Sequence, residues 1–157
     1  MTDTIFVLNG PNLNLLGTRE PRIYGTQTLA DIGEMLEQRA KALKLNLDIR
    51  QSNHEGVLVD WVQEALAKAA AVIINGGAYA HSSIAIRDAV AVLQIPVIEV
   101  HMTNIYAREG FRRQSLVGQV AKGSIIGLGA MGYVLALDAA ARLCKGAAAT
   151  QAKSQIQ

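Results

Sequence analysis

Short apolar runs that alternate with helix-period segments leave this chain few ways to fold. The runs cover residues 5–8, 45–49, 71–74, 96–100 and 124–128. Several are unbroken Val/Ile sequences, the pattern of strands covered on both faces rather than one. After the first run, Leu29, Ile32, Leu36, Ala40 and Leu43 fall on one helical face, with Thr28 at the N-cap position and Asp31 three residues on. Further helices are expected over 57–69, 83–93 and 130–143. Strand and helix in strict alternation imply a parallel sheet with helices on both faces. Five strands favour the flavodoxin-like order 2-1-3-4-5 over a full dinucleotide-binding Rossmann sheet. A chain of 157 residues suffices for one such α/β domain with a real core. That domain is expected over residues 1–145, and the Ala-, Gln-, Lys- and Ser-rich segment 146–157 reads as a frayed tail.

One connection is too long for this plan. Residues 10–25 (GPNLNLLGTREPRIYG) join the first strand to the first helix where a few residues would do. They set two Asn, two Arg and a Tyr between turn-forming Gly and Pro, as binding loops do. Ligands in open α/β sheets bind beyond the carboxyl ends of the strands, near the switch point between strands 1 and 3. Three neighbouring loops should therefore converge: 10–25, 75–82, and 101–104 with Arg108 and Arg112 following.

Charge and composition narrow the ligand. The net charge is +2 with both signs interspersed, no basic block stands out and aromatics are scarce, so nucleic-acid binding is not expected. The single Cys144 fits a reducing compartment and no disulfide framework. The Met1-Thr2-Asp3 start lacks the pattern of a secretory signal. No apolar run approaches the ~18 residues of a membrane helix. A soluble cytoplasmic protein without membrane partners is the expectation.

The converging loops carry groups for proton transfer. Tyr24 and Arg19 could be no more than surface side chains, but together they could also make a base. A free phenol titrates near pH ~10, so a base working at neutrality needs its phenolate stabilised by roughly 4 kcal/mol. A guanidinium about 4 Å away supplies a gross term of that order at an effective dielectric of ~20. His101 ends the fourth strand, and alternation puts Glu99 on the same face. A carboxylate beside an imidazole favours its protonated form, so His101 is a candidate general acid, with a structural capping role as the competing reading. Asn75-Gly76-Gly77 can turn backbone N–H groups toward a ligand oxygen. His81 follows in the same loop; His54 receives no role. Neither a G-x-G-x-x-G nor a G-x-x-x-x-G-K-[ST] pattern occurs, and the three His have no metal-ligand spacing. Cys144 is not expected to be a nucleophile, and no Lys suggests an imine. What remains is a Tyr base, a His acid, Arg charges for anions and Asn amides, with no cofactor or metal.

At these residues the chain resembles the type II 3-dehydroquinate dehydratases. The resemblance rests on 10–17 (GPNLNLLG), Arg19-Glu20-Pro21, Tyr24-Gly25, 52–56 (SNHEG), Gly77-Ala78-Tyr79 with His81, and Arg87-Asp88-Ala89. Glu99-Val100-His101, Asn104, Arg108-Glu109, Phe111-Arg112 and Gly127-Leu128-Gly129 extend it, so that it spans about residues 5–138. It implies conversion of 3-dehydroquinate to 3-dehydroshikimate by anti elimination through an enolate, in shikimate biosynthesis or quinate breakdown. Tyr24 would remove the C2 proton, Arg19 would stabilise the phenolate and the developing charge, and His101, oriented by Glu99, would protonate the departing hydroxyl. Asn12 would help hold the water that stabilises the enolate oxygen. Asn75 and His81 would bind substrate hydroxyls, the backbone of Met102 and Thr103 the carboxylate, and Arg112 the hydroxyl at the far end of the ring. Asp88, about 9 Å along its helix from Ser82 at 1.5 Å per residue, should lie far from its own site. The family implies that it completes a neighbouring subunit's site in a dodecamer built as a tetramer of trimers. Gly76, Met102 and Thr103 depart from the usual family residues without removing a chemical group. Two other readings of the chain are a non-catalytic flavodoxin-like binding module and a flavin carrier; the latter lacks a hydroxyl-rich phosphate loop over 10–16.

Overall fold

The computed structural model describes residues 2–155. Its five-stranded sheet is parallel throughout, in the order β2-β1-β3-β4-β5. The strands are β1 (Thr4–Asn9), β2 (Asn46–Gln51), β3 (Ala71–Asn75), β4 (Val97–His101) and β5 (Gly123–Ile126). The helices are α1 (Pro21–Tyr24), α2 (Leu29–Leu43), α3 (Glu55–Lys68), α4 (Tyr79–Ser82), α5 (Ile84–Val92) and α6 (Met131–Gln155). The flavodoxin-like order expected from the alternation is therefore the one present.

Alternation along each strand feeds two cores. Ile5, Val7, Ile73, Ile98 and Val100 point to the face covered by α2 and α6, packing with Ile32, Leu36, Tyr133 and Leu137. Phe6, Leu8, Val72, Ile74 and Val97 point to the opposite face, against Leu58 and Val62 of α3 and Ile86 and Val90 of α5. Every residue of β3 and β4 is buried, which is why these runs carry no polar alternation.

Local signals were faithful where they were strong. Thr28 and Asp31 form a reciprocal capping box, with the Asp31 amide donating to Thr28 Oγ1 at 3.1 Å and the Thr28 amide to Asp31 Oδ2 at 2.9 Å. Two differences from the sequence expectation have physical reasons. The long connection contains a 3₁₀ turn, Leu13–Leu15, and the helix α1, started by Pro21 at a first-turn position where its missing N–H is harmless. The last helix runs to Gln155, past Leu143 and through the segment expected to fray. Ala, Gln and Lys are good helix formers, so propensity extends α6 where amphipathic periodicity has ended.

Candidate active site

The carboxyl ends of β1, β3 and β4 open into one pocket. Its walls include Asn12, Arg19, Tyr24, Asn75, His81, His101, Met102, Thr103 and Arg112, so nine positions singled out from the sequence meet there. Glu99 stands just behind His101, and Asp88 is elsewhere: it is exposed on α5 and pairs with Arg87 at 3.3 Å.

Backbone geometry lets the first and second loops approach each other. Gly10 passes directly over the Gly76 carbonyl, and a Cβ there would lie 2.3 Å from its oxygen. Gly77 has φ +57°, in the region that favours glycine, with the Pro11 carbonyl close by. Asn12 itself adopts a left-handed conformation and its amide donates to Asn53 Oδ1 at 3.0 Å. The 52–56 motif thus braces the start of the long loop.

The His101 side is buried and densely paired. His101 Nε2 lies 3.1 Å from Glu99 Oε2. The contact is close but not an aligned hydrogen bond, and Nε2 meets no better acceptor among the described residues. Glu99 is fully buried. Ser115 Oγ donates to its Oε2, and Ser124 Oγ to its Oε1 at 3.1 Å. Burial alone would push the Glu99 carboxyl up, but His101 and the two hydroxyls outweigh it and hold the carboxyl below its ordinary value. The His81 and His101 rings stack with centroids 5.6 Å apart. His81 Nδ1 sits 2.9 Å from the Gln114 carbonyl, which only accepts, so Nδ1 carries the proton. Burial pushes His81 down, with His101 and Arg112 adding to the effect, so its Nε2 is left as an acceptor.

The Tyr24 side is an open arm. Tyr24 is half-buried at the end of α1. Arg108 Nη1 donates to Tyr24 Oη at 2.9 Å. Arg19 instead lies over the ring, its guanidinium carbon 4.9 Å from the centroid. The single guanidinium expected at the phenol is thus two, and the one bonded to oxygen is Arg108. It had been marked in the sequence only as a cation near the third loop, because nothing in a chain separation of 84 residues signals the contact. Arg112 Nε pairs with Glu109 at 2.9 Å, and Arg108 Nε with the same carboxylate at 3.6 Å. Glu109 thus ties both cations to one edge of the pocket.

A flavodoxin-like sheet whose strand-end pocket sets a phenol under guanidinium control against an imidazole–carboxylate pair defines a protein equipped for acid–base chemistry on a small anion. A family model described as dehydroquinase class II matches residues 3–141. The chain is 60% identical over 142 residues to the 3-dehydroquinate dehydratase of Mesorhizobium japonicum, covering 89% of this chain and 99% of that protein. It is 56% identical over 139 residues to that of Rhizobium meliloti, covering 88% and 94%. Among solved structures, the type II dehydroquinase from Propionibacterium acnes superposes with a TM-score of 0.86 at 44% identity, covering 90% of this chain and 98% of that one. The chain belongs to the class II dehydroquinase family.

Proposed function

We propose that this protein converts 3-dehydroquinate to 3-dehydroshikimate and water in the cytoplasm, as a step of the shikimate route to aromatic amino acids, with Tyr24 as base and His101 as acid. The observation that carries the reading is the pairing across one pocket of a guanidinium-bonded phenol and an imidazole backed by a buried carboxylate. Tyr24, as phenolate, takes the C2 proton; the C2–H electrons move into an enolate with the C3 carbonyl. A water held by Asn12 stabilises the enolate oxygen. The C1–O bond then breaks as the enolate collapses to a C1=C2 double bond conjugated with the ketone, and His101 protonates the departing hydroxyl, which leaves as water. Arg19 and Arg108 offset the negative charge that appears first on Tyr24 and then on the substrate. His81, with its Nε2 free to accept, and Asn75 take substrate hydroxyls. The backbone at Met102 and Thr103 receives the carboxylate, and Arg112 the hydroxyl at the opposite end of the ring.

In this reading the working unit is a dodecamer of four trimers, and Asp88 reaches a neighbour's pocket. Its position outside its own pocket supports that. Asp88→Ala is expected to lose activity while remaining folded, and mixing it with Tyr24→Phe subunits should restore part of the activity; no recovery counts against the shared site. The primary assay follows the enone absorbance of the product on incubation with 3-dehydroquinate. Turnover that survives a chelator and borohydride fits the scheme, and absence of turnover with authentic substrate overturns it.

A further inference from the structure

A chain of hydrogen bonds runs beneath the pocket through a residue outside its walls. Tyr133, on α6, is fully buried. Its hydroxyl reaches between Asn9 and Asn75, which are register partners at the ends of β1 and β3. Asn75 Nδ2 donates to Tyr133 Oη at 2.8 Å, and Tyr133 Oη donates to Asn9 Oδ1 at 2.7 Å. Asn9 Nδ2 donates to the Arg50 carbonyl at 3.1 Å, and the Gly77 amide donates to Asn75 Oδ1 at 3.2 Å.

The two ends of this chain are backbone groups that cannot exchange roles. The Arg50 carbonyl only accepts, so Asn9 must turn its amide nitrogen to it and its oxygen to Tyr133. The Tyr133 hydroxyl is then committed as a donor to Asn9, and its oxygen can only accept from Asn75. Asn75 must therefore turn its nitrogen inward to Tyr133, while its oxygen meets the Gly77 N–H. Of the Asn75 amide, the group left over as a donor to the pocket is the second N–H. Burial pushes the Tyr133 phenol up, with the Asn75 contact pulling slightly the other way, so the hydroxyl keeps its proton wherever the protein is folded.

We infer that Tyr133 is a positioning residue for the reaction: through Asn9 and Arg50 it locks the side-chain amide of Asn75 so that an N–H, not a carbonyl oxygen, faces the substrate. This deepens the proposed function and rests on it. Without the Tyr133 hydroxyl, only the Gly77 N–H still distinguishes the two orientations of the Asn75 amide, and the flipped form, now less disfavoured, offers the substrate hydroxyl a different partner.

The test is a double-mutant cycle on KM for 3-dehydroquinate. Tyr133→Phe keeps the ring in its core site and removes only the hydroxyl. It is expected to raise KM about tenfold, the scale of one buried hydrogen bond lost or misdirected, with a smaller change in kcat. In an Asn75→Ala background, which itself raises KM, Tyr133→Phe should change KM less than twofold. Cys144→Ala, a buried change further along the same helix, should lower Tm and leave KM alone. The inference is overturned if Tyr133→Phe lowers Tm with parental KM, if its effect multiplies with that of Asn75→Ala, or if Asn75→Ala leaves KM unchanged. Should Tyr133→Phe not fold, Asn9→Leu carries the same cycle, since it frees the Tyr133 hydroxyl to donate to Asn75 instead. Parental protein that fails to turn over 3-dehydroquinate removes the proposed function and this inference together. Active parent with a multiplicative cycle removes only the role of Tyr133.

Discussion

His101 and Tyr24 face one pocket from opposite kinds of ground. His101 is the last residue of a central strand, with every β4 neighbour buried and a carboxylate, itself held by two serine hydroxyls, directly behind it. Tyr24 ends a four-residue helix in a connection whose Leu15 and Ile23 are about half exposed. His101 is therefore placed by the fold, beside a carboxylate that solvent does not reach. Tyr24 is placed by contacts between loops, chiefly the bond from Arg108. A site divided in this way can admit a ligand on its loop side without disturbing His101 on its strand side.

The sharpest way to break the comparison is to delete each group in turn. Tyr24→Phe and His101→Ala should each lower kcat by about 10²–10⁴-fold, the usual worth of a positioned base or acid. Their effects on stability should diverge. Tyr24→Phe should leave Tm near the parent value, whereas His101→Ala removes the imidazole partner of a buried carboxylate and should lower Tm measurably. Equal stability of the two variants would mean that the acid side is no more built in than the base side. Next in size, Arg108→Ala should cost about 10–100-fold in kcat/KM, as expected for a charge-assisted hydrogen bond of about 1.5–3 kcal/mol. Arg19→Ala, which removes a cation over the ring rather than a bond to the oxygen, should keep the fold and lose activity as well. Near-normal turnover of Arg19→Ala at neutral pH would remove Arg19 from the base.

Smaller effects test how the strand side is held. The Glu99 carboxyl is held below its unfolded value of 4.5, so its stabilising contribution is complete above that pH and is lost as pH falls through the folded value. Ser124→Ala should move that loss to higher pH and lower kcat a few-fold; an unchanged acid limb in thermal melts would show that the hydroxyl is idle. The smallest change at neutral pH belongs to the cluster on the β2 edge, remote from the pocket. Arg50 bonds to both Asp48 and Glu64 and stacks over Phe6. Hydrogen bonds from Arg50, and next from Lys68, bring the Glu64 carboxyl down to about 2. Its contribution is present above the ordinary value of 4.5 and fades as pH falls toward about 2. Glu64→Gln should flatten stability across that interval and leave kcat unchanged.

Much of this was legible along the chain because the relevant signals are local. The capping box of α2 needs residues three apart, and the Glu99–His101 pair needs only the two-residue repeat of a strand. The convergence of the three loops follows from strand order, which the alternation of elements restricts to few choices. The contacts that were missed join distant segments: Arg108 to Tyr24, Ser115 and Ser124 to Glu99, and Tyr133 to Asn9 and Asn75. A serine or a tyrosine on an ordinary helix or strand carries no mark of which buried polar group it will meet.

By itself, then, the sequence determined the sheet order, the two-sided core and the set of strand-end loops that hold the chemistry, since these depend on hydrophobic period and turn residues. The resemblance carried by its loop motifs pointed to the family that the comparisons establish. Tertiary structure decided which guanidinium bonds the Tyr24 oxygen, what keeps Glu99 ionised and how the Asn75 amide is turned. Each of those depends on angstrom-scale distance and direction between groups far apart in the chain, and hydrogen bonds and charge pairs in a buried site are decided by those quantities alone.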